Sequence, residues 1–69
     1  MSDFEILKKQ VADQELVIDQ SGGDLTGYIK KFGDVTGREK YAADTALLAE
    51  LRQGLHEVVT DLVMADLLS

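Results

Sequence analysis

The sequence contains no cysteine, no proline and a single histidine, His56. Disulfide bonds, thiolate metal sites and multi-histidine metal centres are therefore excluded. The lack of proline suits a chain that is mostly helical. A chain of 69 residues buries only about 60% of the surface that its unfolded form exposes, so its stability margin is thin. Oligomerisation or a protein partner is the expected source of additional stability.

Long apolar runs are also missing, and the N-terminus has no basic segment followed by an apolar one. We therefore expect neither a membrane span nor a secretory signal. The expected location is the cytoplasm, or a particle assembled in the cytoplasm. Apolar residues make up 45% of the chain, which is ordinary for a folded globular protein.

Basic residues are scarce: seven Lys and Arg stand against 13 Asp and Glu, for a net charge of −6. This charge argues against nucleic-acid binding, because a protein that binds the phosphate backbone needs clustered cations. The net charge is −3 over residues 1–20, +1 over 21–40 and −4 over 41–69. This pattern indicates either solubility with internal contacts, or an acidic face that recognises a basic partner.

The C-terminal half of the chain has the pattern of one long amphipathic helix. Thr36 followed by Glu39 matches a capping box, and the sequence predicts a helix over 37–68. Gly54 raises the alternative of a break or kink in that helix. The apolar positions recur at steps of three and four, with a gap at Asp44 or Thr45. They are Tyr41, Leu48, Leu51, Leu55, Val58, Leu62 and Ala65.

The N-terminal segment predicts a first helix over 3–20. Ser2 and Glu5 form a second possible capping box, and Ser21-Gly22-Gly23 suits a helix end. Its apolar stripe consists of Phe4, Leu7 and Val11 and continues with Val17 and Ile18 after the polar Gln14. Ile6 and Leu16 lie beside this stripe and widen it.

Residues 24–32 predict a short helix or turn, with Asp24 as its cap and Gly33 just beyond its end. Two alternatives remain open for this segment. Residues 15–20 and 24–30 can instead pair as a β-hairpin across Ser21-Gly22-Gly23, or the segment can be irregular.

These elements predict a single small all-α domain. Its architecture is an antiparallel helical hairpin, with a short helical segment in the connection and a long C-terminal amphipathic helix. A helix over 3–20 spans roughly 27 Å and a helix over 37–68 roughly 48 Å. The first helix therefore leaves part of the long helix uncovered.

The end of the long helix is apolar on several sides, since Val63, Met64, Leu67 and Leu68 fall outside the main stripe. A helix that is apolar all round is normally buried all round, which indicates an interaction surface. The alternative is that Phe4 and Ile6 fold over this end. The predicted protein interface consists of Leu55, Val58, Val59, Leu62, Val63, Met64 and Leu67.

We therefore expect a non-enzymatic assembly or interaction subunit whose partner is a copy of itself or a larger complex. The alternative is an acidic inhibitor that blocks a basic site on a partner through Glu50, Glu57 and Asp61.

Enzymatic chemistry lacks a recognisable motif, and we expect no cofactor, metal ion or small-molecule substrate. The stretch from Asp19 fails the EF-hand pattern, because its sixth position is Asp24 and its twelfth is Lys30. His56 has the pattern of a solvated surface residue, and Glu57 with Asp61 that of a solvated acidic face. Basic residues near aromatic ones can clamp nucleic acid, but these aromatics are better used as core. The cluster is Lys30, Lys31, Arg38 and Lys40 with Tyr28, Phe32 and Tyr41.

Overall fold

The computed structural model describes residues 3–68 and arranges them in three α-helices. α1 spans Asp3–Gln20, α2 spans Leu25–Phe32 and α3 spans Asp34–Leu68, and this part of the chain contains no strand. α1 and α2 each pack against α3. The all-α prediction is confirmed. The β-hairpin alternative is wrong, because residues 15–20 lie in α1 and residues 25–30 lie in α2.

α3 sets the long axis of the molecule. Its 35 residues correspond to about 52 Å of helix at 1.5 Å per residue, and the longest dimension of the structure is 53 Å. The helix continues through Gly54 without a break, so the alternative of a break at this glycine is wrong. The Leu7 side chain of α1 lies over Gly54, with its Cδ2 atom 3.7 Å from the position a Cβ there would take.

α1 and α3 run antiparallel, as the predicted hairpin requires. Leu7 lies near Gly54, whereas Gln14, further along α1, donates a hydrogen bond to the carbonyl of Asp44, earlier in α3. Later residues of α1 therefore lie beside earlier residues of α3.

The stripe that α1 presents is narrower than the sequence predicts. Val11 and Gln14 are buried, and Phe4, Leu7 and Ile18 are half-buried. Val17 and the two residues expected to widen the stripe, Ile6 and Leu16, are exposed, so that part of the prediction is wrong. A two-helix seam covers one face only, and side chains on the flanks of α1 have no second helix to meet.

The junction between α2 and α3 is a single glycine. Gly33 has a φ of 92°, a conformation that glycine adopts without steric cost. Its N–H donates to the carbonyl of Ile29 at 2.9 Å, and its own carbonyl accepts from the N–H of Gly37 at 2.8 Å. One residue thus ends α2 and starts α3. The predicted cap of α2 is confirmed, since Asp24 Oδ1 accepts from the N–H of Gly27 at 2.8 Å.

The predicted start of α3 at residue 37, capped by Thr36 and Glu39, is wrong. α3 begins at Asp34, which places Thr36 inside the first turn. Gly33 completes the turn without a loop, and an acidic residue in the first turn is favoured by the helix dipole. Asp34 also pairs with Arg38 at 2.9 Å, one turn later. Ser2 of the other predicted capping box lies outside the described residues.

The core is small and centred on Tyr28, which is 0% exposed. The Tyr28 hydroxyl donates to Asp44 Oδ2 at 2.7 Å, and its ring meets the Tyr41 ring edge-on at 5.3 Å between centroids. The main-chain carbonyl of the same Asp44 accepts from Gln14 Nε2 at 2.9 Å. Asp44 of α3 therefore hydrogen-bonds to both α1 and α2.

Two glycines of α3 are expected to respond oppositely to alanine. A Cβ on Gly37 would lie 2.7 Å from the Tyr28 carbonyl oxygen and 2.8 Å from Ile29 Cα. Because that backbone has to move, Gly37→Ala should destabilise the fold by roughly 1–3 kcal/mol. A Cβ on Gly54 meets only Leu7 at 3.7 Å, so Gly54→Ala should stabilise it by up to about 1 kcal/mol through helix propensity. Urea denaturation of both variants measures whether each change lowers or raises the free energy of unfolding. Equal effects of the two substitutions would contradict the packing described.

Removal of the Tyr28 hydroxyl tests the hydrogen bond to Asp44. Tyr28→Phe should lower the free energy of unfolding by about 1–2 kcal/mol, since the Asp44 carboxylate loses a donor. Burial, followed by this hydrogen bond, raises the pKa of Tyr28 above its ordinary value of 10.0. The unfolded chain therefore ionises first, so the stability that Tyr28 contributes is lost as the pH rises above about 10.

Urea denaturation from neutral to alkaline pH measures both effects. Tyr41→Phe, which removes a hydroxyl outside this hydrogen-bond network, is the matched control. An alkaline loss of stability that is the same in wild type and Tyr28→Phe would contradict the assignment to Tyr28.

Candidate interaction surface

α3 extends past the start of α1. Leu7 lies over Gly54, and α1 begins four residues before Leu7, at Asp3. In an antiparallel pair this start is level with residue 58 or so of α3. Residues 59–68, which we call the distal segment, continue for about 15 Å, and no other described helix lies beside them.

The apolar side chains of the distal segment are exposed to solvent. Leu67 and Leu68 are 76% and 83% exposed, the highest values among the large apolar residues of the described chain. Elsewhere in the described chain, the exposed large apolar residues are Ile6, the adjacent pair Leu16 and Val17, Val35 and Leu47, and none of them belongs to a group as large as that of the distal segment. Single exposed apolar residues are ordinary, whereas a contiguous group marks an interaction site. The exposed apolar residues of the distal segment are Val59, Leu62, Val63, Met64, Leu67 and Leu68.

The seven residues of the predicted interface divide into two groups. Leu55 and Val58 are half-buried in the region that α1 reaches. The other five are exposed and lie in the distal segment: Val59, Leu62, Val63, Met64 and Leu67.

The distal segment exposes apolar atoms on more than one side. At about 100° per residue, Leu62 and Ala65 continue the stripe that α1 covers further back, while Leu68, Met64 and Leu67 project about 90°, 130° and 170° away from the centre of that stripe. The alternative in which Phe4 and Ile6 cover this end is not observed, since Ile6 is itself 41% exposed.

Leu68 belongs to this surface and is absent from the interface that the sequence predicts. The sequence pattern places it outside the main stripe together with Val63, Met64 and Leu67, but of these four the predicted interface includes only the other three. The signal that identifies it is the all-round apolar character of the last two turns.

Three acidic residues of α3 form an exposed stripe that runs into the side of the distal segment where Met64 and Leu68 lie. Glu50, Glu57 and Asp61 are seven and four residues apart, which places them within about 40° of one another on the helix. All three are exposed, and the ion pairs formed within residues 3–68 do not include them. His56 is exposed as well, as predicted. Among the described residues, no group of three His, Asp or Glu side chains is placed to hold a metal ion.

A shallow groove of about 270 Å³ lies on one side of the contact between α1 and α3. This volume is slightly below the range of about 300–1,000 Å³ that small-molecule pockets occupy. Asp13 is the one titratable residue of its lining, so the groove brings together no nucleophile with a base. It is lined by Gln10, Asp13, Gln14, Leu47 and Leu51.

The basic and aromatic cluster near α2 is used internally. Tyr28 is buried and has no free face on which a nucleic-acid base can stack. The ammonium groups of Lys31 and Lys40 lie 5.7 Å and 5.1 Å from the ring centroid of Phe32, in cation–π contact with the ring. Lys31 also donates to the carbonyl of Gln20 at 2.9 Å. These aromatic rings belong to the fold, in agreement with their predicted use as core.

No protein-family model, curated protein or solved structure matches the chain. None of the described helices combines the length and the apolar character needed to cross a membrane. The function is therefore inferred from the exposed residues of the chain itself.

Charged substitutions in the distal segment should leave the fold of the single chain intact. Leu62 is 56% exposed, and exposed sites outside special contacts usually change stability by no more than about 0.5 kcal/mol. Leu62→Asp and Leu67→Asp should therefore unfold at nearly the wild-type urea concentration when measured at high dilution. Val11→Asp, at a site only 8% exposed, is the positive control and should be strongly destabilised. A comparable loss in Leu62→Asp would show that the distal segment is covered within the chain.

Proposed function

We propose that this protein is a non-enzymatic interaction or assembly subunit that binds another protein chain through its distal segment. The observation that carries the proposal is the exposure of six large apolar side chains within ten residues of one helix. An amphipathic helix that lays such side chains into a groove or against other helices is a recurring mode of protein recognition.

Energetics favour a partner that covers this surface. Burying a fully exposed Val, Leu or Met side chain contributes about 1.5–3 kcal/mol, and the distal segment holds six partly exposed ones. The chain itself buries few side chains, since Val11 and Tyr28 are its buried apolar residues among those described. A partner thus supplies stabilisation that this short chain lacks.

The helical form of the surface also supports binding. The distal segment is the direct continuation of α3, and its helical backbone is the same one that packs against α1 and α2. A preformed helix loses less conformational entropy on binding than a segment that must first fold.

A second candidate function rests on the exposed acidic stripe of Glu50, Glu57 and Asp61. With a chain charge of −6, this stripe is suited to occupy a basic site on a partner protein as an acidic inhibitor. Its binding would be electrostatic and would weaken steeply with added salt, whereas contact between apolar helices would not.

Substitution in the distal segment tests the first proposal. Leu62→Asp and Met64→Asp should weaken assembly or partner binding by more than about tenfold, because a carboxylate placed in an apolar contact is costly to desolvate. Leu16→Asp is the matched control, since Leu16 is 53% exposed and Met64 is 52% exposed, but Leu16 lies on α1. Sedimentation velocity and affinity capture from the native host measure the effect.

The same experiment separates the two candidate functions. Variants in which Glu50 and Glu57, the members of the acidic stripe outside the distal segment, are changed to Lys should lose binding if the acidic stripe is the contact, and retain it if the distal segment is. If Leu62→Asp and Met64→Asp stay folded and keep both assembly state and partner, the proposal for the distal segment is refuted.

A further inference from the structure

We infer that the groove between α1 and α3 is a docking site for a basic amphipathic helix of another protein. This groove is separate from the distal segment, so the inference goes beyond the proposed function, and it shares only Glu50 with the acidic stripe. It follows from the exposed apolar side chains of the groove, from its acidic edges and from the two helices that form its walls.

The two sides of the contact between α1 and α3 differ. On one side, Arg52 of α3 reaches Glu15 of α1 at 3.2 Å. At about 100° per residue, Glu15 lies about 40° from the buried Val11, whereas Gln10 of the groove lies about 100° from it in the opposite direction. The groove, with a volume of about 270 Å³, therefore lies on the side that this ion pair does not cross.

The groove side carries exposed apolar side chains from both helices. Leu47 of α3 lines the groove and is 44% exposed. On α1, Ile6, Gln10, Asp13 and Val17 follow one another at steps of four, three and four residues, which places them within about 60° of one another. Ile6 and Val17 are both exposed, and they extend the face formed by Gln10 and Asp13 to a length of about 17 Å, or three helical turns.

Acidic residues stand at both edges of this face. Asp13 lines the groove from α1, and Glu50 lies about 60° from Leu47 on the outer side of α3. Both carboxylates are exposed, and the ion pairs formed within residues 3–68 do not include them. A cation brought to either edge therefore meets a carboxylate that is available for pairing.

The basic residues at the same level of the molecule lie elsewhere. Residues 3–17 and 43–57 contain Lys8, Lys9 and Arg52. At about 100° per residue, Lys8 and Arg52 lie on the side of the ion pair with Glu15, and Lys9 lies on the outer face of α1. The groove side is therefore apolar along its middle and negatively charged at its edges.

The two walls of the groove determine the shape of its occupant. Both walls are helices, and a pair of antiparallel helices accepts a third helix along the groove between them, as in a helical bundle. One apolar stripe of such a helix contacts Ile6, Leu47 and Val17. Lys or Arg residues on the two flanks of that stripe reach Asp13 and Glu50, and this complementarity of charge selects a basic partner. A contact three turns long belongs to the small, transient class of interfaces.

Charge argues against a second copy of this chain as the occupant. α1 contains five acidic residues against two lysines, and α3 contains seven acidic residues against three basic ones. Either helix would bring further carboxylates to the acidic edges. α2 contains Lys30 and Lys31, but its Tyr28 is buried in the core, so its apolar face is already in use. The occupant is therefore a helix of a different protein.

Synthetic helices test the chemistry of the occupant. The probe is a helix-stapled, fluorescent peptide of about 14 residues, with one stripe of Leu and with Lys on both flanks of the stripe. Fluorescence anisotropy with the full chain should show binding that is at least about tenfold tighter than that of the same Leu stripe flanked by Glu. A peptide of the same composition with the stripe scrambled should also bind at least about tenfold more weakly. Equal binding of the Glu-flanked or the scrambled peptide, or no binding of the Lys-flanked one up to about 1 mM, overturns the inference.

Neutral substitutions test the apolar part of the site. Leu47→Gln should weaken binding of the Lys-flanked peptide about three- to tenfold, because it removes an exposed apolar side chain from the groove without changing the charge. Leu16→Gln is the matched control, since Leu16 is 53% exposed but lies on the outer face of α1, and it should bind like the wild type. Wild-type affinity in Leu47→Gln overturns the inference.

Paired charge removals test the acidic edges. Asp13→Asn combined with Glu50→Gln should weaken binding of the same peptide and flatten its salt dependence between about 0.05 M and 0.5 M. Asp19→Asn combined with Glu39→Gln changes the net charge equally at exposed sites outside the groove and is the control. If both pairs weaken binding equally, the peptide responds to the charge of the whole chain, and the groove is not its site.

A substitution in the distal segment separates this inference from the proposed function. Leu62→Gln should leave binding of the Lys-flanked peptide unchanged, because Leu62 lies beyond the groove. Binding that is lost in Leu62→Gln and kept in Leu47→Gln would locate the peptide on the distal segment, which overturns the groove inference and agrees with the proposed function.

Discussion

The fold depends on one polar residue in the apolar stripe of α3. Asp44 accepts a hydrogen bond from the buried Tyr28 hydroxyl through its side chain and one from Gln14 through its carbonyl, so it connects α3 to both α2 and α1. Few apolar side chains are buried in this chain, and two hydrogen bonds inside a small core weigh more than they would in a large one. The direction of α1 and the docking of α2 are both fixed near this point.

The junction at Gly33 also fixes how α2 lies against α3. With no loop between α2 and α3, the short helix turns back on the start of the long one, and Gly37 lets their backbones approach. The aromatic residues near the start of α3 are packed in this contact. Towards its other end, α3 is covered by α1 for only part of its length, because α1 has 18 residues and α3 has 35.

The distal segment is the consequence of that mismatch in length. Its side chains are those of an interior helix, yet the described chain provides nothing to enclose them. A short chain gains little from a core of its own, and under the proposed function part of the hydrophobic stabilisation comes from burying this helix end against a partner.

The sequence by itself determined the first helix over 3–20 and the long last helix with its apolar end, since periodicity is a local property of the chain. It left residues 24–32 open between a short helix capped by Asp24, a β-hairpin and irregular structure. It did not determine where α3 begins, because a single glycine at positive φ replaces the cap that Thr36 suggested. It also treated Gln14 and Asp44 as interruptions of apolar stripes. Only the tertiary structure decided that these two polar residues hydrogen-bond to each other between α1 and α3, and that residues 59–68 extend beyond the start of α1, because both depend on how the helices are placed against one another.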